Sequence, residues 1–198
     1  MKIISVLVIG YLLGSVSVAV LLSKGVFHMD VRKEGSGNAG ATNVARVLGM
    51  KAGLLTLLGD TAKTSLAALV GWLLLGRTGL ALGTMACLIG HCWPVFFDFR
   101  GGKGVSASAC IALLYDWRMF LILVACFFLV FLLTRKVSLC SIISAALFPM
   151  LYPLLGNGID VCFIGCCLVT VIVVFCHREN IRRLLRGEEK NFQPAKKK

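Results

Sequence analysis

Residues 3–22 read Ile-Ile-Ser-Val-Leu-Val-Ile-Gly-Tyr-Leu-Leu-Gly-Ser-Val-Ser-Val-Ala-Val-Leu-Leu, 20 residues without a charge. At roughly 1.5 Å of rise per residue, a helix of that length covers the ~30 Å hydrocarbon core of a bilayer. A secretory signal would need a basic leader; only Lys2 precedes this run, which is also long for a signal's apolar part. The run reads as a membrane span. The whole chain agrees. It has 198 residues, 58% of them hydrophobic and 15% charged, and a mean hydropathy of +0.89. A soluble domain of this length needs far more polar surface. A net charge of +12 from so few charged residues fits a lipid-embedded body with basic ends. It argues against a nucleic-acid binder, whose basic residues would line a soluble face.

Beyond a polar stretch at 23–51, an apolar run reaches Leu75, interrupted by Asp60 and Lys63, and stops at Gly76-Arg77-Thr78-Gly79. Residues 80–89 and 105–114 are half-length apolar segments on either side of a polar loop. Residues 119–133, 139–155 and 161–176 complete the count. The expectation is an all-α, polytopic membrane protein of a single domain, residues 1–198. It has seven transmembrane segments, two of them short half-spans, and a basic tail at 177–198. Half-length helices are tolerated at membrane depth only where their ends face protein or a wet cavity, so the loop between them is expected to line a site.

Basic residues set the orientation. Seven alternating spans gather 17 of the 21 lysines and arginines on one side, among them Arg46, Lys103, Arg135, Arg178, Arg183 and Lys196 to Lys198. Lys2, Arg77 and Arg118 fall on the other, and Lys63 lies within a span. The N-terminus is expected outside and the C-terminus in the cytoplasm.

Three polar segments share that basic side. The first is Gly35-Ser36-Gly37-Asn38-Ala39-Gly40-Ala41-Thr42-Asn43-Val44-Ala45-Arg46. Glycines at 35, 37 and 40 would let backbone N–H groups converge as an anion nest, and Ser36, Asn38, Thr42 and Asn43 add donors. Arg46 adds a planar fork suited to phosphate. The plainer reading is a turn with Thr42 or Asn43 as a helix cap. The second runs from Gly90-His91-Cys92-Trp93-Pro94 to Phe99-Arg100-Gly101-Gly102-Lys103-Gly104-Val105. Its glycines flank a cation immediately before a helix N-terminus, which favours anions. Phe97 stands where a Walker A loop needs its first glycine, so it is no such loop. The third is His177-Arg178-Glu179-Asn180-Ile181-Arg182-Arg183-Leu184, where His177, Asn180 and Arg183 would share a face of a helix continuing from the last span. A basic juxtamembrane helix that merely binds anionic lipid is the competing reading.

Charges inside a span are costly and usually pair or serve function, so Asp60 and Lys63 read as a mutual ion pair bordering the site. Nine cysteines, mostly within apolar runs and without a CxxC pair, read as packing residues. With three histidines in the chain, no metal site is expected.

The motifs at 35–46, 90–105 and 177–184, in this order and over the whole length, resemble the three signatures of the PlsY family, bacterial acyl-phosphate:glycerol-3-phosphate acyltransferases. Ala39 and Ser106 stand where that family usually has proline and alanine. The resemblance implies a seven-helix protein of the bacterial inner membrane with its active site facing the cytoplasm. It would make lysophosphatidic acid and phosphate from glycerol 3-phosphate and acyl phosphate, an early step of phospholipid synthesis, with no cofactor. By the same resemblance Ser36, Gly37, Asn38, Thr42, Arg46, Gly101, Gly102 and Lys103 bind phosphate. His177 and Asn180, with Ser36, act at the reacting centre. Membrane lipid and a soluble enzyme that makes acyl phosphate are the implied partners. A transporter of a phosphorylated metabolite would share the basic pocket and half-helices, but no internal repeat copies the motifs onto the opposite face.

Overall fold

The computed structural model describes residues 1–195, and within them every regular element is helical. Lys196, Lys197 and Lys198, counted above with the basic side, lie outside the described residues. The helices are α1 (Lys2–Ser15), α2 (Val18–Gly25), α3 (Ala41–Leu48), α4 (Met50–Cys92), α5 (Val105–Tyr115), α6 (Trp117–Thr134), α7 (Val137–Leu154), α8 (Val161–Cys176) and α9 (Arg178–Leu185). Lys2–Gly25, Met50–Phe97, α6 and α7 are each long and apolar enough to cross a membrane. Large apolar side chains are exposed along them, Leu133 to 77% and Leu154 to 79%, as suits surfaces that face lipid.

The run at 3–22 is two helices, not one. The chain is extended at Val16 and Ser17, where helical bonding stops. Lys63 explains the break: its ammonium donates to the carbonyls of Gly14 (2.9 Å) and Val16 (2.8 Å), which a continuous helix would have used. Ser17 then caps α2 by accepting from the Val20 N–H.

Helix α4 doubles back at Leu75–Gly76, where Gly76 takes φ 57° and ψ −140°, a conformation open to glycine. Its two arms then run side by side. Gly71 and Gly79 sit so close that a Cβ on either would strike the other's carbonyl. Cys87 reaches Thr64 at 3.7 Å, and His91 meets Asp60 at 3.5 Å. Helix α1 packs on the second arm by the same device, Gly10 against Gly83 and Gly14 against Cys87. Between membrane helices lipid offers no hydrophobic drive, so such close backbone approach supplies the dispersion contact. The second arm, 77–92, is longer than the half-span expected at 80–89, because the turn is confined to two residues.

Helices α5 and α8 match the expected 105–114 and 161–176 to within a residue. A buried cluster joins them, including Leu88, Ile111, Met119, Tyr152, Val169 and Val173. The last helix does not continue. The chain bends by 60° between α8 and α9 at His177, so the expected single helix through the third motif is two.

Candidate active site

The loop before α3 is organised by one side chain. Asn43 is buried; its Oδ1 accepts from the Ser36 N–H (2.8 Å), and its Nδ2 donates to the carbonyls of Val31 (3.0 Å) and Glu34 (3.1 Å). Gly35 and Gly37 turn with φ of 60° and 70°, whereas Gly40 is extended and caps α3 through its backbone alone. Asn43 therefore neither caps α3 nor offers a donor to a ligand. It holds the loop so that Ser36, Asn38, Thr42 and Arg46 line a cavity.

The loop after α4 folds back onto the helix end. Gly101 donates its N–H to Cys92 O (3.2 Å) and Gly102 to His91 O (3.0 Å). Gly102 lies against the His91 ring, leaving no room for a Cβ. In the first loop Gly37 donates to Glu34 O (2.9 Å). The N–H groups of Gly37, Gly101 and Gly102, expected to help hold phosphate, are all engaged by carbonyls of the protein in this structure. These glycines shape the loops, and the side chains they position reach the cavity.

Lys103 is the chief of these. Its ammonium donates to Oδ1 of Asn180, and burial, then the nearby Arg183 charge, lowers its pKa to about 8. Asn180 Nδ2 donates to Glu189 Oε1 (2.7 Å), which also accepts from Ser138 Oγ (2.6 Å). Glu189 Oε2 accepts from Arg183 Nε (2.7 Å). His177, buried at the bend, bonds Val173 O through Nδ1 (2.8 Å). A carbonyl can only accept, so that nitrogen carries the proton and Nε2 is an acceptor.

Beneath this cluster Asp60 and Lys63 form the expected pair, at 3.0 Å. Ser106 Oγ donates to the other carboxylate oxygen of Asp60 (2.9 Å), and His91 and Ser106 both border the cavity. The nine cysteines are unpaired. Among the described residues no group of histidine, cysteine or carboxylate side chains is set to hold a metal.

The three motif segments, 35–46, 90–105 and 177–183, thus contribute to one cavity of about 970 Å³. Its other end is apolar, walled by Phe120, Leu123, Phe127 and Phe131 of α6 and by Phe148 of α7. Sequence reading missed Ser138, Ser141 and Glu189, which also line it. Ser138, Ser141 and Ser144 recur every three residues in an otherwise apolar helix, a polar stripe that could have been recognised as facing protein.

A family model described as glycerol-3-phosphate acyltransferase matches residues 4–187. The chain belongs to the glycerol-3-phosphate acyltransferase family. It is 41% identical to the glycerol-3-phosphate acyltransferase of Thermoanaerobacter pseudethanolicus, over 92% of this chain and 91% of that protein. It is 42% identical to the enzyme of that name from Pseudomonas aeruginosa, over 93% and 97%. Two crystal structures of PlsY (YgiH), an integral membrane glycerol 3-phosphate acyltransferase, superpose on it. The glycerol 3-phosphate form has a TM-score of 0.91 at 32% identity, covering 98% of this chain and 96% of that one. The lysophosphatidic acid form has a TM-score of 0.88 at 31% identity, with the same coverage. The protein is thus an integral membrane acyltransferase of this family, and the transporter alternative falls away.

Proposed function

We propose that this protein transfers a fatty acyl group from acyl phosphate to glycerol 3-phosphate, releasing lysophosphatidic acid and inorganic phosphate. One observation carries the reading: a single cavity joins a cluster of cationic and amide side chains to a phenylalanine-lined arm. Both substrates bear phosphate, and one also bears an acyl chain, so a pocket of two characters suits them. Glycerol-3-phosphate acylation rests on the family, and the likeness to a glycerol 3-phosphate form and a lysophosphatidic acid form supports it.

Ser36, Asn38, Thr42, Arg46 and Lys103 are read as phosphate ligands, with Arg183 and Ser138 added from the cavity lining. Guanidinium and ammonium groups give phosphate its strongest hydrogen bonds. His177 and Asn180, with Ser36, are read as facing the reacting carbonyl; His177 would present Nε2. Acyl phosphate is an activated donor with a good leaving group. Positioning and charge stabilisation therefore account for catalysis without a covalent nucleophile or a metal.

The membrane arrangement belongs to the same proposal. The two arms of α4 count separately, α1 with α2 makes one crossing, and α5 to α8 complete seven spans of one domain. The N-terminus lies outside, and the site faces the cytoplasm of a bacterial inner membrane, within reach of a soluble enzyme that supplies acyl phosphate. The test uses detergent-purified protein with chelator present and no added metal. It should acylate glycerol 3-phosphate from acyl phosphate, release phosphate stoichiometrically and ignore acyl-CoA. Efficient use of acyl-CoA, or an absolute need for a divalent cation, would overturn the reading.

A further inference from the structure

After α9 the chain turns at Gly187, φ 72°, and runs back along the cavity, whose wall includes Glu188, Glu189, Lys190 and Phe192. Three contacts fasten this strap. Glu189 sits among Ser138, Asn180 and Arg183. Phe192 donates its N–H to Arg135 O (2.9 Å) and packs its ring edgewise on Phe131, 6.3 Å between centroids. Ala195 donates its N–H to Ala45 O (3.2 Å), next to Arg46.

The Glu189 carboxylate takes three donors, a hydroxyl, an amide and a guanidinium, all of them groups that bind phosphate oxygens equally well. Lys103 stands one residue away, on the far side of the Asn180 amide. The side chain of Glu189 is 10% exposed. A carboxylate that accepts three hydrogen bonds inside a basic pocket is bound as an anionic ligand would be. We infer that Glu189 is a built-in competitor for the phosphate position, and that the strap at 188–192 must lift for a phosphate-bearing substrate to engage Ser138, Asn180 and Arg183.

Two like charges cannot share those donors at hydrogen-bond distance. Substrate binding therefore trades one anion for another, and the closed strap lowers apparent affinity by the fraction of molecules it occupies. In return the strap covers the basic cluster between turnovers, and a released phosphate meets a carboxylate ready to reoccupy its place. The inference rests on the phosphate-pocket reading above, but it can fail separately, because it is read with inorganic phosphate and without turnover.

Binding of inorganic phosphate to the full chain in detergent is measured by calorimetry, for wild type and Glu189→Gln. The amide keeps the shape and loses the competing charge, so Glu189→Gln should bind phosphate at least about fivefold more tightly. In wild type, phosphate should also speed tryptic cleavage after Lys190, followed by mass, because a lifted strap is accessible. Equal or weaker phosphate binding by a folded Glu189→Gln would make Glu189 a helper of the pocket and overturn the inference. Slower or unchanged cleavage after Lys190 would do the same, and it decides alone if the variant does not fold. Failure of acyl transfer from acyl phosphate in wild type would leave both readouts intact and count against the donor assignment only.

Discussion

Lys103 donates to the side-chain carbonyl of Asn180 across 77 positions of sequence, joining the second polar segment to the third. Through the other end of the same amide, Lys103 is coupled to Glu189. Neither segment alone makes this contact; it joins the loop just before α5 to the first turn of α9 at the wall of one cavity.

Lys103→Ala and Arg46→Ala should each reduce kcat/KM by about 2–4 kcal/mol of transition-state stabilisation, the scale for one preorganised charged donor. Steady-state kinetics with glycerol 3-phosphate and acyl phosphate checks this. Normal turnover by Lys103→Ala would remove it from the phosphate pocket. Substitution of Lys196, Lys197 and Lys198, outside the described residues, should change little.

The pH profile follows from burial of Lys103, whose pKa of about 8 lies below the lysine reference of 10.5. The charged form binds phosphate, so kcat/KM should fall as pH rises through about 8. Its stability effect has the opposite sign. Between about 8 and 10.5 the unfolded chain holds the proton that the folded chain has lost, so this group makes folding more favourable as pH rises there. Lys103→Arg stays protonated throughout and should move the alkaline limb of kcat/KM upward, even if its absolute rate is lower. An unmoved limb would assign that titration to another group.

His177→Ala and Asn180→Ala should insert normally and lose most of their activity. Asn180→Ala also frees Lys103 and Glu189 from each other. Thermal unfolding in detergent separates the cases: melting temperatures near wild type with activity gone support roles at the reacting centre. Parallel loss of both would make the two side chains structural pins of the α8–α9 bend.

Asp60→Ala leaves the Lys63 ammonium and His91 without their carboxylate in a buried place. Removing one partner of such a pair typically costs about 3–5 kcal/mol. Here Ser106 also loses its acceptor. A large fall in melting temperature is expected. Melting close to wild type would mean that Lys63 is held well enough by the Gly14 and Val16 carbonyls alone.

A reporter fused after Lys198 should read cytoplasmic and one inserted at Gly158 should read outside, because the basic residues sort to the first side. An outward signal at Lys198 would scatter the three motifs across both faces of the membrane.

Much of the helical layout was legible because lipid demands long uncharged runs: α8 could be bounded from residues 161–176 alone. The break at Val16–Ser17 was hidden, since its cause is an ammonium 47 positions away. The bend at His177 was hidden too, because no glycine or proline near it marks a break. Within the site, the long polar motifs announced themselves as three segments. Which atoms in them remain available to a ligand did not, because Gly101 and Gly102 spend their N–H groups on carbonyls that only the folded loop brings near. Glu189 escaped notice because an acidic residue in a basic tail looks like ordinary solvated charge.

The doubled-back helix α4 also orders the protein's assembly. Its arms join residues close along the chain, Thr64 with Cys87 and Asp60 with His91, so the hairpin can close as soon as Cys92 has left the ribosome. Asp60 and Lys63 are then neutralised by near neighbours before later helices arrive. Asn180 and Glu189 are translated well after the hairpin. A nascent chain halted before α8 can already form its glycine-packed hairpin but lacks part of the cavity lining, so competence to bind phosphate waits for α9 and the residues that follow it.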